Sequence, residues 1–269
     1  MTVSSPVSSV QCVPAALRGG VCAAVLCLLA ACQHAPVQVA DDADDDRDRR
    51  PAAVVTVPTG SFQGWQPYPL PSKRWADFQP VTLDGQSGLQ VQANGSVSLL
   101  HLPVEPDNPA RTHASQVRWS WWLERQLPEA DLVQTDASDS PVRLVLGFDG
   151  DRTKLSGRFH VSSELSRLMT GKELPYATLM YVWTAQYPVG TVLNNPRTDR
   201  IRYLVVEQGP QRLGQWQHYE RNFQADFERV FGESPGPLIG LGLMTDTDNT
   251  QAQTRAIYGP VTLPAVAAK

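Results

Sequence analysis

The sequence predicts an all-β protein, a two-sheet, jelly-roll-like β-sandwich with one or two short capping helices. Three observations predict it. Apolar residues recur at period two along many short segments. Turn signals such as Asp84-Gly85, Asn94-Gly95, Asp149-Gly150 and Asn195-Pro196 separate several of those segments. Only two stretches show helical spacing.

The clearest strand is Gln116 to Glu124. Val117, Trp119, Trp121 and Leu123 share one face while Arg118, Ser120 and Glu124 take the other, as a half-buried strand requires. Trp122 breaks the alternation by facing outward. Further strands are expected over Gly88 to Ala93, Ser96 to Leu102, Val142 to Phe148, Leu179 to Thr184, Ile201 to Glu207, Trp216 to Asn222, Leu238 to Met244 and Arg255 to Leu263. One helix is expected from a cap at Ser162 or Ser163 through Leu165, Leu168 and Met169 to Gly171. A second is expected over Gln224 to Phe231, with Phe223, Phe227, Val230 and Phe231 as its apolar stripe and Gly232 as its stop.

The N-terminus predicts location. Arg18 is the single charge ahead of an apolar run, Val21 to Ala31, that is too short to span a bilayer, which takes about 20 apolar residues. It ends in Leu29-Ala30-Ala31-Cys32, which resembles the lipobox of bacterial lipoproteins. Residues 1–31 are therefore expected to be a lipoprotein signal peptide, with Cys32 lipidated after cleavage. The other three of the four cysteines, Cys12, Cys22 and Cys27, lie in the removed segment, so no disulfide, thiolate metal site or cysteine nucleophile is expected in the mature chain. Gln33 after the cysteine resembles an outer-membrane sorting signal. The chain is expected in the cell envelope, lipid-anchored to the outer membrane and facing the periplasm.

Residues 32–60 hold an acidic and arginine-rich run around Asp41 to Pro51 that cannot bury enough apolar surface to order itself. They are expected to act as a tether with a mean reach of about 30 Å, taking about 5–6 Å times the square root of the residue count. Residues 61–265 are expected to form a single sandwich domain. A net charge of −4 and no basic patch argue against nucleic acid.

Several motifs fail on chemistry. Gly232-Glu233-Ser234-Pro235-Gly236 satisfies G-x-S-x-G, but the residue after the serine must donate a backbone N–H to an oxyanion and Pro235 has none. Asp246-Thr247-Asp248-Asn249-Thr250 matches a phosphotransferase D-x-D-x-T string, yet only one strand's length of chain remains after it. The same loop lacks the glycine and distal glutamate of an EF-hand. His101, His113, His160 and His218 show no ligand spacing. Glu207 and Glu220 could form a glycosidase carboxylate pair, as any β domain would offer by chance.

Two sets of residues remain as candidates for ligand contact. One is polar: Asp246, Asp248, Asn249 and Thr250 make an oxygen-rich loop at a strand end, and Asp136, Asp139 and Arg143 lie before and within another strand. Its plainer role is a set of Asx turns. The other set is aromatic: Trp122, with Tyr181 or Trp183, offers rings that would stack on sugar faces if left uncovered, though core burial is the plainer role for each. No cofactor is expected; the alternative is calcium held by Asp246 and Asp248.

Asp139-Ser140-Pro141-Val142-Arg143 leading into Leu144 to Phe148, Leu179-Met180-Tyr181-Val182-Trp183, Asn195-Pro196-Arg197-Thr198, Phe231-Gly232 and Thr245 to Thr250 together resemble a bacterial family, domain of unknown function 3047, over roughly Trp75 to Leu263. The resemblance implies an exported β domain and brings no catalytic residues with it. The C-terminal strand, Asp/Asn loop and final strand also look like jelly-roll carbohydrate-binding modules. The expectation is an envelope lipoprotein that binds a glycan or other polar ligand and is not itself an enzyme. The alternatives are a periplasmic polysaccharide hydrolase or lyase and a structural envelope-docking protein.

Overall fold

The computed structural model describes residues 62–108 and 110–264. The expected signal peptide, Cys32 and the tether over 32–60 lie outside the described residues.

The chain runs through β1 (Gln66–Pro67), β2 (Phe78–Leu83), β3 (Gln86–Asn94), β4 (Val97–Pro103), the single turn α1 (Ala110–His113), β5 (Gln116–Leu123), β6 (Ser140–Phe148), α2 (Gly157–Thr170), β7 (Ala177–Thr184), β8 (Val192–Asn194), β9 (Ile201–Gln208), β10 (Trp216–Asn222), α3 (Phe223–Phe231), β11 (Leu238–Asp246) and β12 (Gln253–Tyr258). Seven strands form one sheet in the order β1-β4-β11-β6-β7-β9-β8, and five form the other in the order β10-β5-β12-β3-β2. Every pairing is antiparallel except β7 with β9. The expected sandwich is therefore observed.

The two sheets close on one core. The seven-stranded sheet contributes Leu144, Leu146, Phe148, Leu179, Tyr181 and Trp183, and the five-stranded sheet contributes Leu89, Val91, Val117, Trp119, Trp121 and Tyr258. The alternation read along β5 holds: Val117, Trp119, Trp121 and Leu123 all point into this core. A second apolar cluster, Leu132, Met180, Val182, Leu193, Tyr203 and Val205, lies on the outward face of the larger sheet. It exists because the β5–β6 connection lies across that face, tied down by Gln186 Nε2 to Ala130 O (3.1 Å), Tyr187 O–H to Asp131 Oδ1 (2.8 Å) and Arg197 Nη2 to Thr135 O (2.6 Å).

Both expected helices form, one with altered bounds. α3 is capped by Asn222, whose Oδ1 accepts from Ala225 N, and stops at Gly232 in the left-handed region (φ 74°). It buries Phe223, Phe227 and Val230. α2 starts earlier than its serines suggested. Ser156 is its cap, while Ser162 Oγ donates back to Arg158 O and Ser163 Oγ accepts from Leu174 N after the helix. Phe159 faces the core, whereas Leu165, Leu168 and Met169 face solvent. The final strand ends at Tyr258, ahead of Gly259-Pro260, rather than running to Leu263.

Two ends of the sandwich matter below. At one, β6 ends, α2 crosses to β7, β4 ends and β11 begins. At the other, β4 and β6 begin and β11 ends.

Candidate functional site

At the second end the sheet order brings the polar candidates together. β11 pairs β6 with Met244 opposite Arg143, a register shift follows, and Asp246 then lies opposite Ser140. Arg143 Nη2 donates to Asp246 Oδ2 at 2.9 Å and to Ser138 O at 2.7 Å. Both side chains are buried. Asp139 accepts from Asn249 N (3.1 Å), Asn249 Nδ2 (2.9 Å), Thr250 N (2.7 Å) and Thr250 Oγ1 (2.6 Å). Lys73 pairs with Asp248. Five of the predicted polar residues, together with Arg143, thus converge. Asp136 does not; it is exposed.

The electrostatics differ between the two central carboxyls. Burial works against charge on Asp139, but the hydrogen bonds from Thr250 and Asn249 outweigh it and hold that carboxyl below its usual range. Burial pushes Asp246 up to about 7; Arg143 opposes this, while Asp139 and Asp248 add to it. Carboxylate oxygens of Asp139, Asp246 and Asp248 lie within 4.8 Å of one another, the one such acidic group among the described residues that could hold a metal. Arg143 and Lys73 already pair with Asp246 and Asp248, and Asp139 is saturated with uncharged donors. A calcium ion would have to displace both pairings. The arrangement is a clamp: it joins the β5–β6 connection, the β11–β12 loop and the segment before β2.

The aromatic expectation needs correction. Tyr181 and Trp183 are fully buried, with Tyr181 O–H donating to Asp226 Oδ2 (2.8 Å) and Trp183 Nε1 to Gly209 O (2.9 Å). Trp122 does face outward, but it is only 7% exposed and the Arg255 guanidinium stands 4.7 Å from its ring centroid. None of the three presents a free ring face. Glu207 and Glu220 also fail to pair. Glu207 accepts from the inward-facing Tyr219 (3.2 Å), and Glu220 binds Arg118 on the surface (3.0 Å).

What the residue patterns missed lies on the outer face of the five-stranded sheet. Residues directly opposite in antiparallel strands share a face, so the register sets out a row across all five strands: Trp216, Trp122, Ile257, Gln90 and Gln79. Gln92 opposes Arg255 in the next row, beside Glu124. Two shallow hollows of about 450 and 480 Å³ share Gln92 and Asn94; Trp75, Asp77, Gln79 and Gln90 line the first, Glu124, Gln253 and Arg255 the second. A third of about 550 Å³ lies between Ser120, His218 and Glu220. The amides of Gln79, Gln90 and Gln92 have no partner among the described residues. Gly88 keeps this face low: a Cβ there would meet Ile257 Cγ2 at 2.6 Å, Tyr258 O at 2.8 Å and Trp216 Cη2 at 3.3 Å. The missed signal was the run Leu89-Gln90-Val91-Gln92-Ala93-Asn94, whose polar members are all amides.

A jelly-roll-like β-sandwich with a buried acidic clamp at one end and a polar sheet face that none of the described residues covers is the class of protein these features define. The chain belongs to the family described as "Protein of unknown function (DUF3047)", which it matches over residues 63–262. A comparison with curated proteins finds no match. Among solved structures it is similar to the xyloglucanase domain of NopAA, a type three effector from Sinorhizobium fredii, in complex with cellobiose (6% identity, 75% of this chain and 93% of that one, TM-score 0.38). It is also similar to the endo-1,4-β-glucanase CelB2 (12% identity, 76% and 94%, TM-score 0.40) and to the family 11 xylanase from Neocallimastix patriciarum (10% identity, 71% and 87%, TM-score 0.33).

Proposed function

We propose that this domain binds a polysaccharide along the outer face of its five-stranded sheet, carried on a lipid anchor at Cys32 in the cell envelope, at the outer membrane and facing the periplasm. The observation that carries the reading is the set of unengaged amides, Gln79, Gln90 and Gln92, in a shallow track beside Trp75. A carboxamide offers donors and an acceptor in one plane, which matches vicinal sugar hydroxyls. The polar contacts are thus assigned to the sheet face, and the Asp139, Arg143 and Asp246 to Thr250 cluster to holding the loops. A hydrolase would need two free carboxylates facing one cleft, and Glu124 and Glu220 on this face are each paired with arginine.

The test is binding to an array of soluble and peptidoglycan-derived glycans. Loss of two net hydrogen bonds at ~0.5–1.5 kcal/mol each makes the double substitution Gln90→Ala/Gln92→Ala about fivefold weaker or more on any glycan bound. Equal binding by wild type and this variant, or a matching loss in Asp248→Ala, would remove the sheet face as the site.

A further inference from the structure

α2 turns an apolar stripe to solvent. Val161, Leu165, Leu168 and Met169 are 70%, 54%, 72% and 54% exposed, four of the five exposed large apolar side chains among the described residues. Their spacing of four, seven and eight from the first places them on one helix face. At about 1.5 Å per residue the 14-residue helix is about 21 Å long. No described helix is long and apolar enough to cross a membrane, so such a stripe suits lying on a surface rather than spanning a bilayer.

Beside the stripe runs a groove of about 750 Å³ between α2 and the β8–β9 connection, lined by Arg158, Ser162, Arg197 and Arg202 among others. At 100° per residue, Arg158 and Ser162 follow directly on Leu165 and Met169 around the helix. Arg158 is exposed, and its guanidinium has no partner among the described residues. Arg197 is held by Ser138 and Thr135, and Arg202 by the carbonyls of Asp199 and Val230, so Arg158 is the free guanidinium of this groove, and apolar residues flanked by a free guanidinium complement an anionic lipid surface. The chain also comes into the sandwich at this end. β1 runs antiparallel to β4 with Gln66 opposite His101 and Pro67 opposite Leu100, so the chain ahead of it lies towards the Pro103 end, and Lys172, just past α2, stands over the Tyr68 ring at 5.7 Å. A lipid on Cys32, joined through residues 33–61, would thus be tethered to the sandwich at this end, whereas the acidic clamp lies at the other end of the strands.

We propose that α2 is a membrane-contacting helix: its apolar stripe enters the boundary between headgroups and acyl chains, and Arg158 takes anionic phosphate headgroups. This goes beyond the glycan reading and does not depend on it.

The test uses the chain from residue 32 onward with Cys32→Ser, so that no acyl chain contributes, sedimented with phosphatidylcholine vesicles with or without phosphatidylglycerol. The protein should bind the mixed vesicles, and less in high salt. Leu165→Glu/Leu168→Glu should weaken binding by at least about tenfold, from two lost apolar insertions. Arg158→Glu should weaken it about fivefold or more on the anionic vesicles alone. Gln90→Ala/Gln92→Ala should bind vesicles as wild type does, which separates this inference from the glycan site. Leu168→Ser serves as a milder second variant, and thermal melts confirm that each is folded. Vesicle binding no greater than that of the double leucine variant overturns the proposal. So does a dimer in ultracentrifugation that the double variant abolishes without any vesicle binding, which would give the stripe to a second copy of the chain.

Discussion

Replacing Asp246 by Asn separates the charge of the buried clamp from its shape. In the folded chain the Asp246 carboxyl titrates at about 7, against an ordinary value of 3.8. A folded value above the unfolded one means that the native state holds the proton more tightly. Its contribution to stability is therefore complete below about pH 4 and is lost as pH rises through 7. At ~1.4 kcal/mol per pH unit, the interval sets a ceiling of about 4 kcal/mol, and a loss of about 2 to 4 kcal/mol is expected across it. Asparagine does not titrate, so Asp246→Asn removes this slope while keeping the side chain's size. The measurement is urea unfolding of both proteins at several pH values from about 4.5 to about 8. Wild type should lose stability relative to Asp246→Asn over that range. The absolute offset between them reports the disturbed pairing with Arg143, and the slope reports the titration. Parallel stability curves would refute the placement of Asp246 as a buried carboxyl with an elevated pKa.

Three further outcomes follow from the same geometry. Burial, and then the nearby charge of Lys172, lower His101 to about 4; a depressed folded value gives stability that is present above about pH 6.5 and lost as pH falls through 4, so His101→Gln should flatten a decline that wild type shows in acid melts. Gly88→Ala forces a methyl group against Ile257 Cγ2 and Tyr258 O and should cost about 1–3 kcal/mol in denaturant unfolding; a neutral result would mean that β3 and β12 lie farther apart than stated. Calcium should leave the wild-type melting temperature unchanged, because Arg143 and Lys73 already pair with Asp246 and Asp248, and Asn249 and Thr250 supply donors to Asp139; a rise that Asp248→Ala abolishes would show that the ion displaces them.

Several polar residues quoted for the family resemblance turn out to build one physical object. Asp139, Arg143, Asp246, Asn249 and Thr250 form the clamp, and Arg197 ties in through Ser138 Oγ at 3.2 Å. The sequence shows these residues as separate clusters because Asp139 and Asn249 stand 110 positions apart. No local pattern encodes that β6 and β11 become neighbours. β7 illustrates the opposite limit. Period-two reading asks which face of Leu179 to Thr184 is buried, yet all eight residues of the strand are. The core covers one side and the β5–β6 connection the other, so the alternation carries no information about a free tryptophan.

β2 escaped for a different reason: Pro80 within Phe78 to Leu83 argues against a strand, and it is tolerated because β2 lies at the edge of its sheet.

The sequence by itself determined the sandwich class, the inward face of β5, the α3 stripe with its cap and stop, and the absence of a thiol beyond Cys32, because each depends on residue spacing or residue type within a few positions. Only the tertiary structure decided that the acidic loop is a closed clamp, that Tyr181 and Trp183 are core, that three glutamines share an uncovered face and that the α2 stripe faces solvent. Burial is a property of what packs against a segment, and the partners here are strands and loops brought together from far along the chain.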